Sequence, residues 1–366
     1  MIAGFSNPLK AFASQFGNSL AARSIKYGYS NARTKAMYAT LLSKKEMESL
    51  IEAKNISEIV ALLSRTYYAQ DLVEEAAAFS KADLVEISLG KNFSRTLKKL
   101  VGFSPKNDSG KIMEIFERYD LLNIKNLLLG IHLKEPKEKI RLMLLESPRF
   151  NSNSLKRLSE IGTVKGLVES LRGTDYYRAL DRGILDYEKT HDIQKLAVAL
   201  ENFYYQKFSN SKKAGFAIAK SVKSILQSEI DAKNIMLVLR SKKESISLEK
   251  TLGLLIGGGQ IRMETLKRMA EAKTAEEALA MQGKFALSGE IVQFKKGGSL
   301  SLIENALEEE IAKEGLRELR RSVLSLSAIV GFLFLKERET KNIRKIVRTK
   351  AFGFSTEEIR KLVVVA

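Results

Sequence analysis

Few side chains in this sequence could do chemistry, and their spacing argues against catalysis. None of the 366 residues is a cysteine, so disulfides, thiolate metal sites and a cysteine nucleophile are excluded. The two histidines, His132 and His191, have no further ligand-type residues at metal-binding spacing and read as surface or helix-capping residues. Gly257-Gly258-Gly259 follows the apolar Leu254-Leu255-Ile256. It lacks the Gly-Lys-Ser/Thr ending of a phosphate loop and follows no convincing strand, so it reads as a helix stop. Gly297-Gly298-Ser299 does not make a nucleophile elbow. Acids are plentiful, but none forms a paired constellation. The expectation is a non-catalytic protein with no metal and no cofactor.

One polar pattern does recur. Asp120-x-x-Asn123 returns as Asp231-x-x-Asn234 and as Glu339-x-x-Asn342, the asparagines being 111 and 108 residues apart. Residues three apart share a helix face, so each acid and its amide point the same way. An asparagine on a mainly apolar helix can bond the open carbonyls or amides at the end of a neighbouring helix. The pattern therefore reads as a structural clamp appearing once per unit, with partner binding as the second reading.

Other blocks keep the same offsets. Ser154-Leu155-Lys156-Arg157-Leu158-Ser159-Glu160 is echoed by Thr265-Leu266-Lys267-Arg268-Met269-Ala270-Glu271, and more weakly by Glu46 to Glu52. In that frame Thr66-Tyr67-Tyr68 falls on Thr174-Asp175-Tyr176. A period of this size is a small domain rather than a solenoid repeat. The third signature begins at Glu339, 28 residues from the end, too few for a whole unit. The expected units are 27–119 completed by 339–366, then 120–230, then 231–338, after a basic extension at 1–26. Three similar units around an axis suggest a ring or funnel.

The elements that position these residues are helices. Leu, Ala, Lys, Glu, Ile and Arg dominate and only four prolines occur. Leu50, Ile56, Ile59, Val60, Leu62 and Leu63 step mostly by three or four. Ser355-Thr356-Glu357-Glu358 reads as a helix start capped by Ser355 or Thr356. The best short strand candidate is Glu290 to Phe294, and it is weak. The predicted fold class is all-α. The uncharged run Ser322 to Leu335 is 14 residues, short of the ~20 needed to span a bilayer, and reads as a buried helix.

The net charge is +18, a surplus that attracts nucleic acid, anionic lipid headgroups or an acidic protein partner. The charges are spread along the helices and no recognition-module motif appears, so a basic helical nucleic-acid-binding protein is only the alternative. The first 45 residues hold seven basic residues and no acid. There Leu9, Phe12, Phe16 and Leu20 would share one helical face. That suits an amphipathic helix on anionic lipid or a transit-like leader. The plainer reading is a partly ordered extension or a helix packed on its own protein. Lys336, Arg344 and Arg348 lie in the densest charge run. Arg344 and Arg348, four apart, would form a cationic ridge for an acidic partner, unless they are solvated or pair with Glu337 or Glu339.

Three passages resemble the C subunit of archaeal-type and bacterial V-type ATPases, known as the d subunit in eukaryotic vacuolar ATPases. They are Tyr27-Gly28-Tyr29-Ser30-Asn31-Ala32-Arg33 with Leu41-Leu42; Asp231 to Ile235 with Leu239 to Lys242 and Leu255 to Gly259; and Gly331 to Glu339 running into Thr340 to Arg348. The resemblance covers about 27–366. It implies a funnel of three helical domains with pseudo-threefold arrangement, lying peripherally on the cytoplasmic side of the membrane. A protein of this family sits on the membrane rotor ring, receives the foot of the central shaft, and passes torque between ion flow and ATP synthesis or hydrolysis. The partners implied are rotor-ring and shaft subunits. Anionic lipid headgroups are a further partner that the charge allows, and no nucleic acid is expected. Residues 1–26 and the size of the basic surplus depart from the family pattern.

Overall fold

Short polar side chains start many of the helices by accepting a hydrogen bond from an otherwise open amide. Ser43 with Glu46, and Ser355 with Glu358, form complete capping boxes. Ser355, not Thr356, is thus the cap at the last helix. The computed structural model describes residues 20–147, 149–209, 220–297, 299–321 and 324–363. The apolar face expected at Leu9, Phe12, Phe16 and Leu20 lies outside the described side chains.

Among the described residues the chain is all-α, with nineteen α-helices, one 3-10 turn and no strand. The first stretch holds α1 (Leu20–Tyr38), α2 (Lys44–Glu52), α3 (Ile56–Leu63), α4 (Ala69–Glu75) and α5 (Lys81–Gly102). Next come α6 (Ser109–His132), α7 (Lys137–Leu142), α8 (Ser152–Ser159), α9 (Val164–Ser170), α10 (Asp175–Thr190) and α11 (Ile193–Ser209). Then follow α12 (Lys220–Lys243), α13 (Leu248–Gly253), α14 (Met263–Glu271), α15 (Ala275–Ala280), α16 (Ser288–Lys295) and α17 (Leu300–Arg321). The last two are α18 (Leu326–Ala351) and α19 (Thr356–Leu362).

The helix starts keep the sequence offsets. α2, α8 and α14 begin 108 and then 111 residues apart, and so do α3, α9 and α15. The caps of the second set, Asn55, Thr163 and Thr274, occupy equivalent positions and each accepts from the amide three residues on. Long helices α6, α12 and α18 carry the acid-x-x-Asn signatures well inside their length. The boundaries expected at 120, 231 and 339 therefore cut through helices.

The apolar side chains form three clusters. One joins α2 to α5 with the second half of α18 and α19, through Leu50, Ile59, Leu89, Ile343, Ile346 and Ile359. The C-terminal helix thus shares a core with α2 to α5, whereas α1 packs through Tyr27, Met37 and Tyr38 against the core of α6 to α11. A second cluster gathers the latter part of α12 with α14 to α17, and a third takes the end of α5 and α6 to α11 with the first halves of α12 and α18. Every residue from Leu326 to Leu335 is buried, so α18 passes from one core into another. Two glycines let it cross α17 closely: a Cβ on Gly331 would lie 2.5 Å from the Gly315 carbonyl oxygen.

Two sequence expectations fail. Glu290 to Phe294 is helical, within α16, with Val292 exposed and Phe294 buried. A five-residue alternation with no partner strand leaves its amides unpaired, and a helix satisfies them locally. Nor does the triple glycine stop a helix: α13 already ends at Gly253, and Gly258, at φ 98°, turns the chain within the loop that follows.

Candidate functional site: three acid–asparagine clamps

All six signature residues are buried: Asp120 and Asn123 on α6, Asp231 and Asn234 on α12, Glu339 and Asn342 on α18. Asn123 accepts from the Leu145 amide at 2.8 Å and donates to the Leu145 carbonyl at 2.7 Å. Asn234 does the same to Ile256, at 2.9 and 2.8 Å. Each partner lies 22 residues on, in the extended loop just after a short helix, so each side-chain amide pairs with one loop residue like a strand neighbour. Asn126 adds a bond to the Met143 carbonyl at 2.8 Å.

The acids take different partners. Asp120 accepts from the Tyr176 hydroxyl at 2.9 Å and from Ser147. Burial pushes its carboxyl up, and the bonds from Ser147, Tyr176 and the Arg149 backbone amide only partly offset this. Asp231 accepts from the Gln260 amide at 2.9 Å and the Ile261 amide at 3.0 Å. Its carboxyl is also raised by burial, against those two amides. A Cβ on Gly259 would strike the Asp231 carboxylate, so here the glycine serves a close approach. Glu339 accepts from the Tyr68 hydroxyl at 2.7 Å, from Lys336 Nζ at 2.8 Å and from the Leu42 amide. Tyr68 and Tyr176, matched in sequence, both close on a clamp acid.

The three candidate partner-binding cations separate. Lys336 is buried, donates to Tyr68 at 2.8 Å and faces its ring at 4.1 Å. It belongs to the first clamp's interior and is not presented to a partner. Arg344 and Arg348 both turn to Glu86 on α5, at 2.7 and 3.5 Å, rather than to Glu337 or Glu339. Arg348 keeps most of its side chain in solvent. Of the histidines, His191 caps α10 in the left-handed region, and His132 shares a hydrogen bond with the Tyr187 hydroxyl.

A second convergence was missed from sequence. Arg118, Glu229 and Glu337 stand two residues ahead of the three acids, at the same 111 and 108 offsets. Arg118 pairs with Glu229 and lies 3.4 Å from Glu337. The residue types differ, so only the shared offset signalled it. Beside this node a cavity of about 560 Å³ opens between α11, α12 and α17, with Glu229, Lys233, Glu201, Arg240 and Lys341 on its walls. Among the described residues no cluster of acids and histidines could hold a metal ion, and no helix is long and apolar enough to cross a membrane.

The profile of the family described as ATP synthase (C/AC39) subunit matches residues 30–362. The chain belongs to this family. Its relatives include the C subunit of the A-type ATP synthase of Methanocaldococcus jannaschii, 25% identical over 92% of this chain and 86% of that protein. The same protein of Methanosarcina mazei is 28% identical over 93% of both chains. That of Methanococcoides burtonii is 26% identical over 93% of this chain and 94% of its own length. Every clamp residue falls inside the span that matches the ATP synthase (C/AC39) subunit family.

Proposed function

We propose that this chain is a non-catalytic central-stalk subunit of an archaeal or V-type rotary ATPase, coupling the membrane rotor ring to the central shaft. The match to the ATP synthase (C/AC39) subunit family over nearly the whole length carries this reading. Three repeated helical units support it, because a torque adaptor needs a stiff body with separate interfaces at its two ends. We take the units as 27–119 with 339–366, 120–230 and 231–338, set around a funnel that receives the shaft foot. The protein would lie peripherally on the cytoplasmic side of the membrane, with rotor-ring and shaft subunits as partners and anionic headgroups beneath. The clamps are structural in this reading: their acids are turned inward onto their own chain.

The test is capture. With this chain as bait in detergent-solubilised membranes of its source, rotor-ring and shaft subunits should be recovered and should resist moderate salt. Recovery of nucleic acid alone, released as salt rises, would overturn the reading in favour of a polyanion-binding protein.

A further inference from the structure

The three repeats bring the same position together at one point, and the charges there nearly cancel. Arg118 on α6, Glu229 on α12 and Glu337 on α18 are each largely buried, and they meet as one cation between two acids. Tyr119 donates to Glu337 at 3.2 Å, and Lys341 approaches Glu337 at 3.2 Å from the exposed side. The other groups facing the node are Tyr204 and Tyr205 on α11 and Glu308 on α17. On the inner side the Arg118 guanidinium lies 4.8 Å from the Phe334 ring. Ile115, Leu226 and Phe334, three residues earlier in each helix, are also buried and again share the repeat offsets. The node is thus an ionic layer upon an apolar layer, each built from one residue per unit.

A buried ion pair adds little net stability against a well-packed apolar substitute, but losing one partner leaves an uncompensated charge. This node is imperfectly satisfied, since Arg118 Nη1 and Glu229 Oε2 find no hydrogen-bond partner. Net stability is therefore a poor account of it, and orientation a better one. We propose that Arg118 is a keystone: by bridging the repeat-equivalent Glu229 and Glu337 it holds α6, α12 and α18, and with them the three units, in one fixed mutual arrangement. Without it, two acids confront each other across the junction and the units move apart. Arg118 is a positioning residue, and the device is independent of what the protein couples.

The chain has no cysteine, so spin labels can be placed cleanly. Val73→Cys on α4, Leu185→Cys on α10 and Val292→Cys on α16 give one exposed site in each unit. Pairwise distances should be single and narrow in the otherwise natural chain. Arg118→Met should lengthen and broaden them while leaving the helical circular dichroism intact. The pH response discriminates charge from packing. Burial alone would raise the Glu337 carboxyl, but Arg118 and Lys341 hold it low, so the natural chain loses this contribution only below the ordinary glutamate range. In Arg118→Met the burial of Glu337 is no longer offset by Arg118, so that carboxyl should be raised in the folded state and the urea midpoint should rise, relative to the natural chain, between pH 7 and about pH 5. Arg118→Met with Glu229→Gln should restore the distances and abolish that rise. Unchanged distances in Arg118→Met, or a midpoint that does not rise on acidification, would overturn the proposal. If Arg118→Met does not fold, the double variant decides: native distances support the keystone, and failure to fold refutes charge balance as its basis.

Discussion

The clamps around Asp120 and Asp231 occupy equivalent places and meet the same demand in different ways. In the second unit the carboxylate takes the side-chain hydroxyls of Tyr176 and Ser147 together with the backbone amide of Arg149, the equivalent of Gln260. In the third the residue equivalent to Tyr176 is Leu287, buried in the apolar cluster, and the carboxylate draws on the backbone amides of Gln260 and Ile261. That solution requires a bare Gly259 beside the carboxylate. The first unit uses a third arrangement, a tyrosine and the buried Lys336 beside the backbone amide of Leu42. The difference shows that the repeat keeps a backbone amide on each acid and varies the side-chain donors around it.

The comparison is broken most severely at the charged clamp. Lys336→Met leaves Glu339 buried without its cation and should cost about 3–5 kcal/mol in urea unfolding. Lys336→Met with Glu339→Gln should recover much of that loss; full additivity of the two changes would deny that they act as a pair. Next is the backbone clamp. Gly259→Ala should cost about 1–3 kcal/mol by overpacking against the carboxylate, and far less in an Asp231→Ala background. An equal cost in both would place the strain elsewhere. In the hydroxyl clamp, Tyr176→Phe should cost about 1–2 kcal/mol by leaving one Asp120 oxygen short of a donor, whereas Leu287→Met at the equivalent place should be nearly silent. The smallest effect belongs to the surface pair: Arg348→Ala should change stability by at most about 0.5 kcal/mol. Its capture of stalk subunits then reports partner contact without confusion from unfolding.

Much of the fold was legible because the repeat wrote it several times. The equivalence of Asn55, Thr163 and Thr274 as caps, and of Tyr68 with Tyr176 on the clamp acids, follows from offsets present in the sequence. Helical class was legible from composition and apolar spacing. Partners distant in sequence were not. Spacing along α18 offered Glu337 and Glu339 to Arg344 and Arg348, but tertiary packing supplied Glu86 from α5. Lys336 read as a surface cation because charge alone does not reveal burial; only its pairing with Glu339 and Tyr68 makes an interior position tolerable. Arg118, Glu229 and Glu337 escaped notice since one basic and two acidic residues do not look like a repeat. The triple glycine misled for a related reason: glycine ends helices commonly, and nothing local announced the carboxylate it must approach.

Coupling is the central claim, and the most direct measurement is reconstitution of the rotary complex in ion-tight vesicles with and without this chain. Nucleotide hydrolysis and ion uptake would be followed on the same sample. The account predicts that omission abolishes ATP-driven ion uptake while the catalytic head still hydrolyses ATP, and that adding the chain back restores uptake. Undiminished ion uptake without the chain would contradict it.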